Sequence, residues 1–214
     1  NYPISQLGNG NKVTLPDLAK IMLVLQKRKC HNINLVTPTH FVPQILKSLK
    51  LAIKMGLHIP IVYNTSGYEA VRTLKLLDGI VDIYLPDARY ADNEVARKYS
   101  SAPGYFEIMK KALKEMHRQV GDLALDKTRV ARSGLIVRHL VLPEGLSGTR
   151  KIMHFIAREI SPHTYISLMA QYFPAYQAGQ FPPISRRINR EEYREALQAF
   201  KEEGLGNGWF QKDI

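Results

Sequence analysis

Apolar positions along the chain switch repeatedly between helical and extended spacing. Leu15, Leu18, Ile21, Met22 and Leu25 recur at helical intervals. Thr14 before them, with Pro16 and Asp17 in the first turn, reads as a helix start. The short apolar run Ile33-Asn34-Leu35-Val36 predicts a strand stopped at Thr37-Pro38. A helix over 42–55 follows, closed by Gly56. The same alternation predicts strands over 59–63, 80–85, 134–142 and 165–170. It predicts helices over 69–77, 93–99, 105–120, 149–160 and 190–203, and the last of these precedes a glycine-rich end.

Five predicted strands thus alternate with helices. They are apolar rather than cleanly alternating, which suits parallel strands buried on both faces and built from right-handed β/α units. A doubly wound sheet and an open barrel both fit. No G-x-G-x-x-G or P-loop motif follows any strand, which counts against a dinucleotide or mononucleotide fold. Polar residues gather instead where strands end: Thr37, Thr39 and His40; Asn64, Thr65 and Ser66; Asp87 and Arg89; Gln171. In a β/α barrel those C-terminal strand ends form the active face.

Composition narrows the function classes. The chain has 214 residues, 45% of them hydrophobic and 23% charged, as in ordinary globular domains. Cys30 is the single cysteine, which excludes an internal disulfide and an all-cysteine metal site. No apolar run approaches the ~18–20 residues of a membrane helix, and the first residues are not those of a signal peptide. A soluble, cytoplasmic protein is the expectation. The net charge of +11 raises the question of nucleic acid. The basic residues form only short, scattered clusters without interleaved aromatics, so a solvated basic surface, or one that meets an acidic partner, is the preferred reading.

Five stretches carry a family resemblance. Asn1-Tyr2-Pro3-Ile4-Ser5-Gln6 resembles the segment after the Cys-x3-Cys-x2-Cys loop of radical S-adenosylmethionine (SAM) proteins related to pyruvate formate-lyase activating enzymes, where the last cysteine commonly sits in a Cys-Gln-Asn-Tyr run. The others are the stretch from Asn32 to His40, Tyr63-Asn64-Thr65-Ser66-Gly67-Tyr68, the stretch from Val81 to Asp87, and Val137-Arg138-His139-Leu140-Val141-Leu142-Pro143. The likeness extends to about Pro174.

The resemblance implies a partial (β/α)6 barrel over 1–180, of which this chain supplies strands two to six, with a helical extension over 181–214. The first strand and the cluster loop would precede Asn1. It implies SAM as a cofactor across the C-terminal strand ends and a [4Fe–4S] cluster whose ligands are absent here. By analogy Thr37 and Thr39 stand where activating enzymes carry Gly-Gly-Glu for the SAM amino group, a departure from the motif, with His40 nearby. Asn64 and Thr65 replace Asp-Thr, and Asp87 and Arg89 replace the Asp and Lys of Asp-x-Lys, beside the ribose and carboxylate. Arg138 would lie near SAM, and Gln171 near the adenine or ribose. The implied chemistry is SAM cleavage to a 5′-deoxyadenosyl radical that abstracts hydrogen, with a glycyl-radical enzyme as substrate and flavodoxin or ferredoxin as electron donor. The chain alone would be inactive. The competing readings are a non-redox β/α-barrel binding domain and a metal-dependent lyase or hydrolase using Asp82, Asp87 and the histidines. Cys30, His31 and His139 read as structural.

Overall fold

A computed structural model describes residues 7–211; the first of the five resembling stretches, residues 1–6, lies outside them. Helix α1 (Leu15–Lys27) starts as its residues dictate. Thr14 is the N-cap, its hydroxyl oxygen accepts from the Asp17 N–H, and Pro16 occupies the first turn, where no amide partner is lost. Strand β1 (Ile33–Val36) leads through a turn of 3-10 helix (Pro38–Phe41) into α2 (Val42–Lys54), and β2 (Ile61–Thr65) into α3 (Val71–Lys75). Strand β3 (Ile83–Pro86) is followed by α4 (Asn93–Ser100) and α5 (Tyr105–Val120), then the short β4 (Ala124–Leu125) and the long β5 (Ala131–Leu140). Helix α6 (Thr149–Phe155) runs on as a π-turn over Ile156–Ile160 to β6 (Tyr165–Met169). Helix α7 (Arg190–Glu202) begins with a capping box between Asn189 and Glu192 and leads to β7 (Gly208–Phe210).

The strands form one sheet in the order β1-β2-β3-β5-β6-β7, every neighbouring pair parallel, with β4 lying antiparallel against β5 off that path. This is the α/β partial barrel expected from the alternation of elements. Strand β7 escaped the sequence reading because three residues beginning with Gly208 carry almost no strand signal. It forms because Gly208 backs onto Ile166, where a Cβ would come within 2.7 Å of the Ile166 carbonyl oxygen. Helix α7 and β7 belong to the same core as the rest, with Tyr193, Ala196, Phe200 and Leu205 packed in it and Phe210 against Phe200 at 5.0 Å between ring centroids.

The helices cover one face of the sheet only. Along β5, Leu135, Val137 and His139 are fully buried, whereas Ile136, Arg138 and Leu140 are partly open. Leu135, Val137, Ile166 and Leu168 join Met109, Leu113, Met116, Ile152 and Phe155 of the helices in the main core, and a second cluster packs α1 and α2 against Ile33 and Ile61. The expectation of strands buried on both faces is therefore corrected: the other face is concave and partly solvated, with Val36 at 53% and Trp209 at 51% exposure at its two sides. The strands still lack a clean polar alternation because their open-face positions are filled by Ile136, Leu85 and Val62 beside Asn64 and Arg138. No helix among the described residues is long and apolar enough to cross a membrane.

Candidate functional site at the C-terminal strand ends

Three backbone hydrogen bonds stitch successive strand ends together. The Thr37 N–H donates to Asn64 O at 2.8 Å, the Asp87 N–H to Thr65 O at 2.8 Å, and the Ala88 N–H to Arg138 O at 2.8 Å. Parallel register thus carries the polar residues at the ends of β1, β2, β3 and β5 onto one rim, although they lie up to 101 positions apart in sequence.

The first group on that rim is ionic. Asp87 is 6% exposed. Arg89 grips its Oδ2 with Nε at 3.0 Å and Nη2 at 2.6 Å. Arg138 brings Nη2 to 2.6 Å from Oδ1, close enough for an ion pair although the angle is not that of a hydrogen bond. Arg138 Nε is buried and has no hydrogen-bond partner. Two guanidinium groups face one carboxylate, so the cluster keeps one positive charge in excess and a donor unspent, which is the electrostatic signature of an anion site. Tyr105 holds it from below. Its hydroxyl accepts from the Arg89 N–H at 3.0 Å and lies 2.8 Å from Ser66 O and 2.9 Å from Asp87 O, both acceptors for its proton. Burial pushes the Tyr105 phenol well above its ordinary range, so it stays a neutral donor. Gly67 makes the approach possible: at φ +76° it presses against the Asp87 carbonyl oxygen.

The second group is built on Glu69, which is 2% exposed. Its Oε1 accepts from Thr39 Oγ1 at 2.5 Å and from Thr65 Oγ1, and Tyr63 Oη lies 3.5 Å away. Glu69 therefore ties the turn after β1 to the end of β2. Thr37 begins that turn with a left-handed backbone, φ 52°, uncommon for a threonine.

Thr39 and Thr65 meet on Glu69, and Asp87, Arg89 and Arg138 meet on one another. Asn64 is buried at the β2 end, in register with Val36 and Leu85. His40 and Gln171 sit exposed at the rim, and the structure draws neither into the two clusters. His139 faces the opposite way. It is fully buried, with Nδ1 2.6 Å from Ala88 O and Nε2 2.9 Å from Thr149 Oγ1, so it pins the β3 end to α6. Asp82 lies at the other end of β3, accepting from the Ile61 N–H at 2.8 Å, and does not meet Asp87. No group of three His, Cys, Asp or Glu residues suited to a metal ion occurs among the described residues. Sequence reasoning missed Glu69 and Tyr105. Both read as ordinary first-turn helix residues, and only Glu69 had a signal, standing one position beyond a resembling stretch.

No family model matches the chain. It is 34% identical over 207 residues to an uncharacterized protein of Methanocaldococcus jannaschii, covering 92% of this chain and 56% of the relative, so the chain spans little more than half of that protein's length. Among solved structures it superposes on a domain of a pyruvate-formate lyase-activating enzyme from Bacteroides vulgatus with a TM-score of 0.56 at 14% identity, covering 83% of this chain and 96% of that one. It also superposes on HydG, a maturase of the [FeFe]-hydrogenase, with a TM-score of 0.60 at 11% identity, covering 95% of this chain and 46% of that one. The fold is a partial barrel of the radical SAM type.

Beside the ionic cluster, rings of Tyr90, Tyr99, Tyr172, Phe173, Tyr176 and Phe181 line a cavity of about 590 Å³ between the β3, β5 and β6 ends. Tyr90 Oη and Ser100 Oγ hydrogen-bond at 2.8 Å, and Tyr172 Oη donates to Ile184 O at 2.7 Å, so these two hydroxyls are engaged with the wall.

Proposed function

We propose that this chain is the SAM-binding barrel of a radical SAM protein. The observation that carries the reading is the Asp87–Arg89–Arg138 cluster: a net positive, partly unsatisfied group at the C-terminal strand ends of a β/α barrel, fitted to a ligand carboxylate. The methionine end of SAM carries such a carboxylate beside an ammonium group. Arg138, with Nε unspent, anchors the carboxylate, and Asp87 keeps both guanidinium groups aligned. The carbonyls and hydroxyls of the turn from Thr37 to Thr39 accept from the ammonium group. Asn64 and Thr65 border the ribose, and His40 and Gln171 the outer rim. Bound SAM, on one-electron reduction, supplies the 5′-deoxyadenosyl group that takes a hydrogen atom from the substrate.

The [4Fe–4S] cluster is a different matter. It needs three thiolates, and this sequence has one cysteine, Cys30, just before β1 at the end of the barrel away from the rim. The residues present do not fit a cluster, and no step is assigned to one here. A glycyl-radical protein as substrate and flavodoxin or ferredoxin as electron donor belong to the same proposal.

The test is calorimetric titration of the chain with SAM. Saturable binding that the Arg138→Ala variant loses supports the reading. Unchanged binding by that variant, or none by the wild type, sinks it and favours a barrel that binds something else. A 5′-deoxyadenosine assay on the anaerobically reconstituted full-length gene product then asks about cleavage.

A further inference from the structure

Glu69 is a carboxylate with an unusual environment. It is 2% exposed, three hydroxyls converge on its Oε1, and its Oε2 is buried without a hydrogen-bond partner. No cation is recorded against either oxygen among the described residues. A buried carboxylate with hydroxyl donors alone is only part-compensated, because an ion taken out of water needs an opposite charge as well as hydrogen bonds. The Glu69 site is one positive charge short.

The hydroxyl geometry says where that charge would be supplied. Thr39 commits its proton to Glu69 at 2.5 Å, so its oxygen offers only lone pairs to anything approaching from the rim. Thr39 is half-buried, whereas Thr65 and Tyr63 are enclosed and serve to fix the carboxylate. A hydroxyl held this way accepts from an ammonium group and has nothing to give to a carbonyl or a ligand hydroxyl oxygen. Across the β2–β3 boundary the ionic cluster has the opposite bias, one positive charge in excess. The two ends of the site are complementary to a zwitterion.

We propose that Glu69 is the positioning residue for the ligand's ammonium group: it sets Thr39 as an obligatory acceptor and supplies the counter-charge, making the rim selective for an α-amino acid head. This rests on the reading of the rim as the place of the methionine end of SAM. It assigns the carboxylate to the loop after β2 rather than to the β1 end, where the turn from Thr37 to Thr39 carries no acidic residue.

The experiment is calorimetry on the whole chain with two ligands, SAM and its analogue with hydrogen in place of the amino group. Wild type should prefer SAM by roughly 10- to 100-fold, the size of one charge-assisted interaction. Glu69→Gln should bring the ratio down to roughly threefold or less on the same scale while leaving affinity for the analogue unchanged. A merely structural Glu69 weakens both ligands alike and leaves the ratio intact, which overturns the proposal. Should Glu69→Gln fail to fold, Thr39→Val decides by the same ratio, since it keeps the carboxylate and removes the acceptor. Wild type binding neither compound defeats the SAM reading instead. The comparison is then made with L-methionine and 4-(methylthio)butanoate, read from NMR shifts of the Thr39 methyl group. A response to the amine alone, lost in Glu69→Gln, upholds the proposal, and equal or absent responses end it.

Discussion

Arg138 Nη2 lies 2.6 Å from Asp87 Oδ1, although 51 positions separate the two residues, because the chain from α4 to β4 loops out and returns β5 beside β3. Asp87 thereby sits between two arginines, and neither cation can be removed without unbalancing a buried carboxylate. Replacing Arg138 by Ala should weaken SAM binding by about tenfold or more and cost about 1–2 kcal/mol of stability, the modest figure reflecting the partial exposure of the arginine. Arg138→Lys should recover stability better than affinity, because an ammonium group cannot reproduce the planar fork. Titration calorimetry and urea denaturation of the two variants check both halves.

Gly67 is the steric key to the same cluster. A Cβ built on it would come 2.2 Å from the Asp87 carbonyl oxygen, at a φ of +76° that side chains rarely adopt. Gly67→Ala must push the β3 end away, so a loss of about 2–4 kcal/mol in unfolding free energy is expected, larger than an ordinary surface Gly→Ala change. A control at Gly79, also at positive φ but with open space around it, should lose only about 1 kcal/mol. Equal losses at the two positions would show that conformation alone, and not the close approach, governs Gly67.

His139 predicts a pH dependence of stability. Burial lowers its pKa from 6.5 to about 4, with Ala88 O opposing the shift. Between those values the unfolded chain binds a proton that the folded chain refuses. The His139 contribution is therefore complete above pH ~6.5 and declines as the pH falls toward ~4, at up to about 1.4 kcal/mol per pH unit. The difference in urea midpoint between wild type and His139→Asn should shrink on going from pH 7.5 to 5.0. A difference independent of pH would rule out a neutral buried imidazole.

The isolated chain should bind SAM and leave it intact. After incubation with iron, sulfide and a strong reductant it should give no cluster absorption and no 5′-deoxyadenosine, since one thiol cannot hold a cluster. Formation of 5′-deoxyadenosine by this chain alone would refute the assignment of the thiolates to another segment.

Much of the fold was legible in the residues. Thr14-Leu15-Pro16-Asp17 wrote the start of α1, and the capping and glycine signals at Gly56 and Gly121 fell at helix ends, because helix boundaries depend on backbone groups only a few positions apart. The short apolar runs announced β1, β2, β3, β5 and β6, and their turn residues supplied Asn64, Thr65, Asp87 and Arg89 as rim residues.

What local pattern could not decide was which side chains would meet. His40 and Gln171 have the same strand-end placement in sequence as Thr39 and Asp87, yet they stay exposed, because the course of the turn and not the count from the strand sets their direction. Glu69 became a hub because parallel register set Thr39 and Thr65 on the same oxygen, 30 and 4 positions away. The charge balance of the Asp87 cluster arose from β5 docking beside β3. The sequence by itself determined the elements and the chemistry available at their ends, through interactions a few residues long. Only the tertiary structure decided the pairings, since register, burial and the missing positive charge at Glu69 depend on contacts that no local spacing encodes.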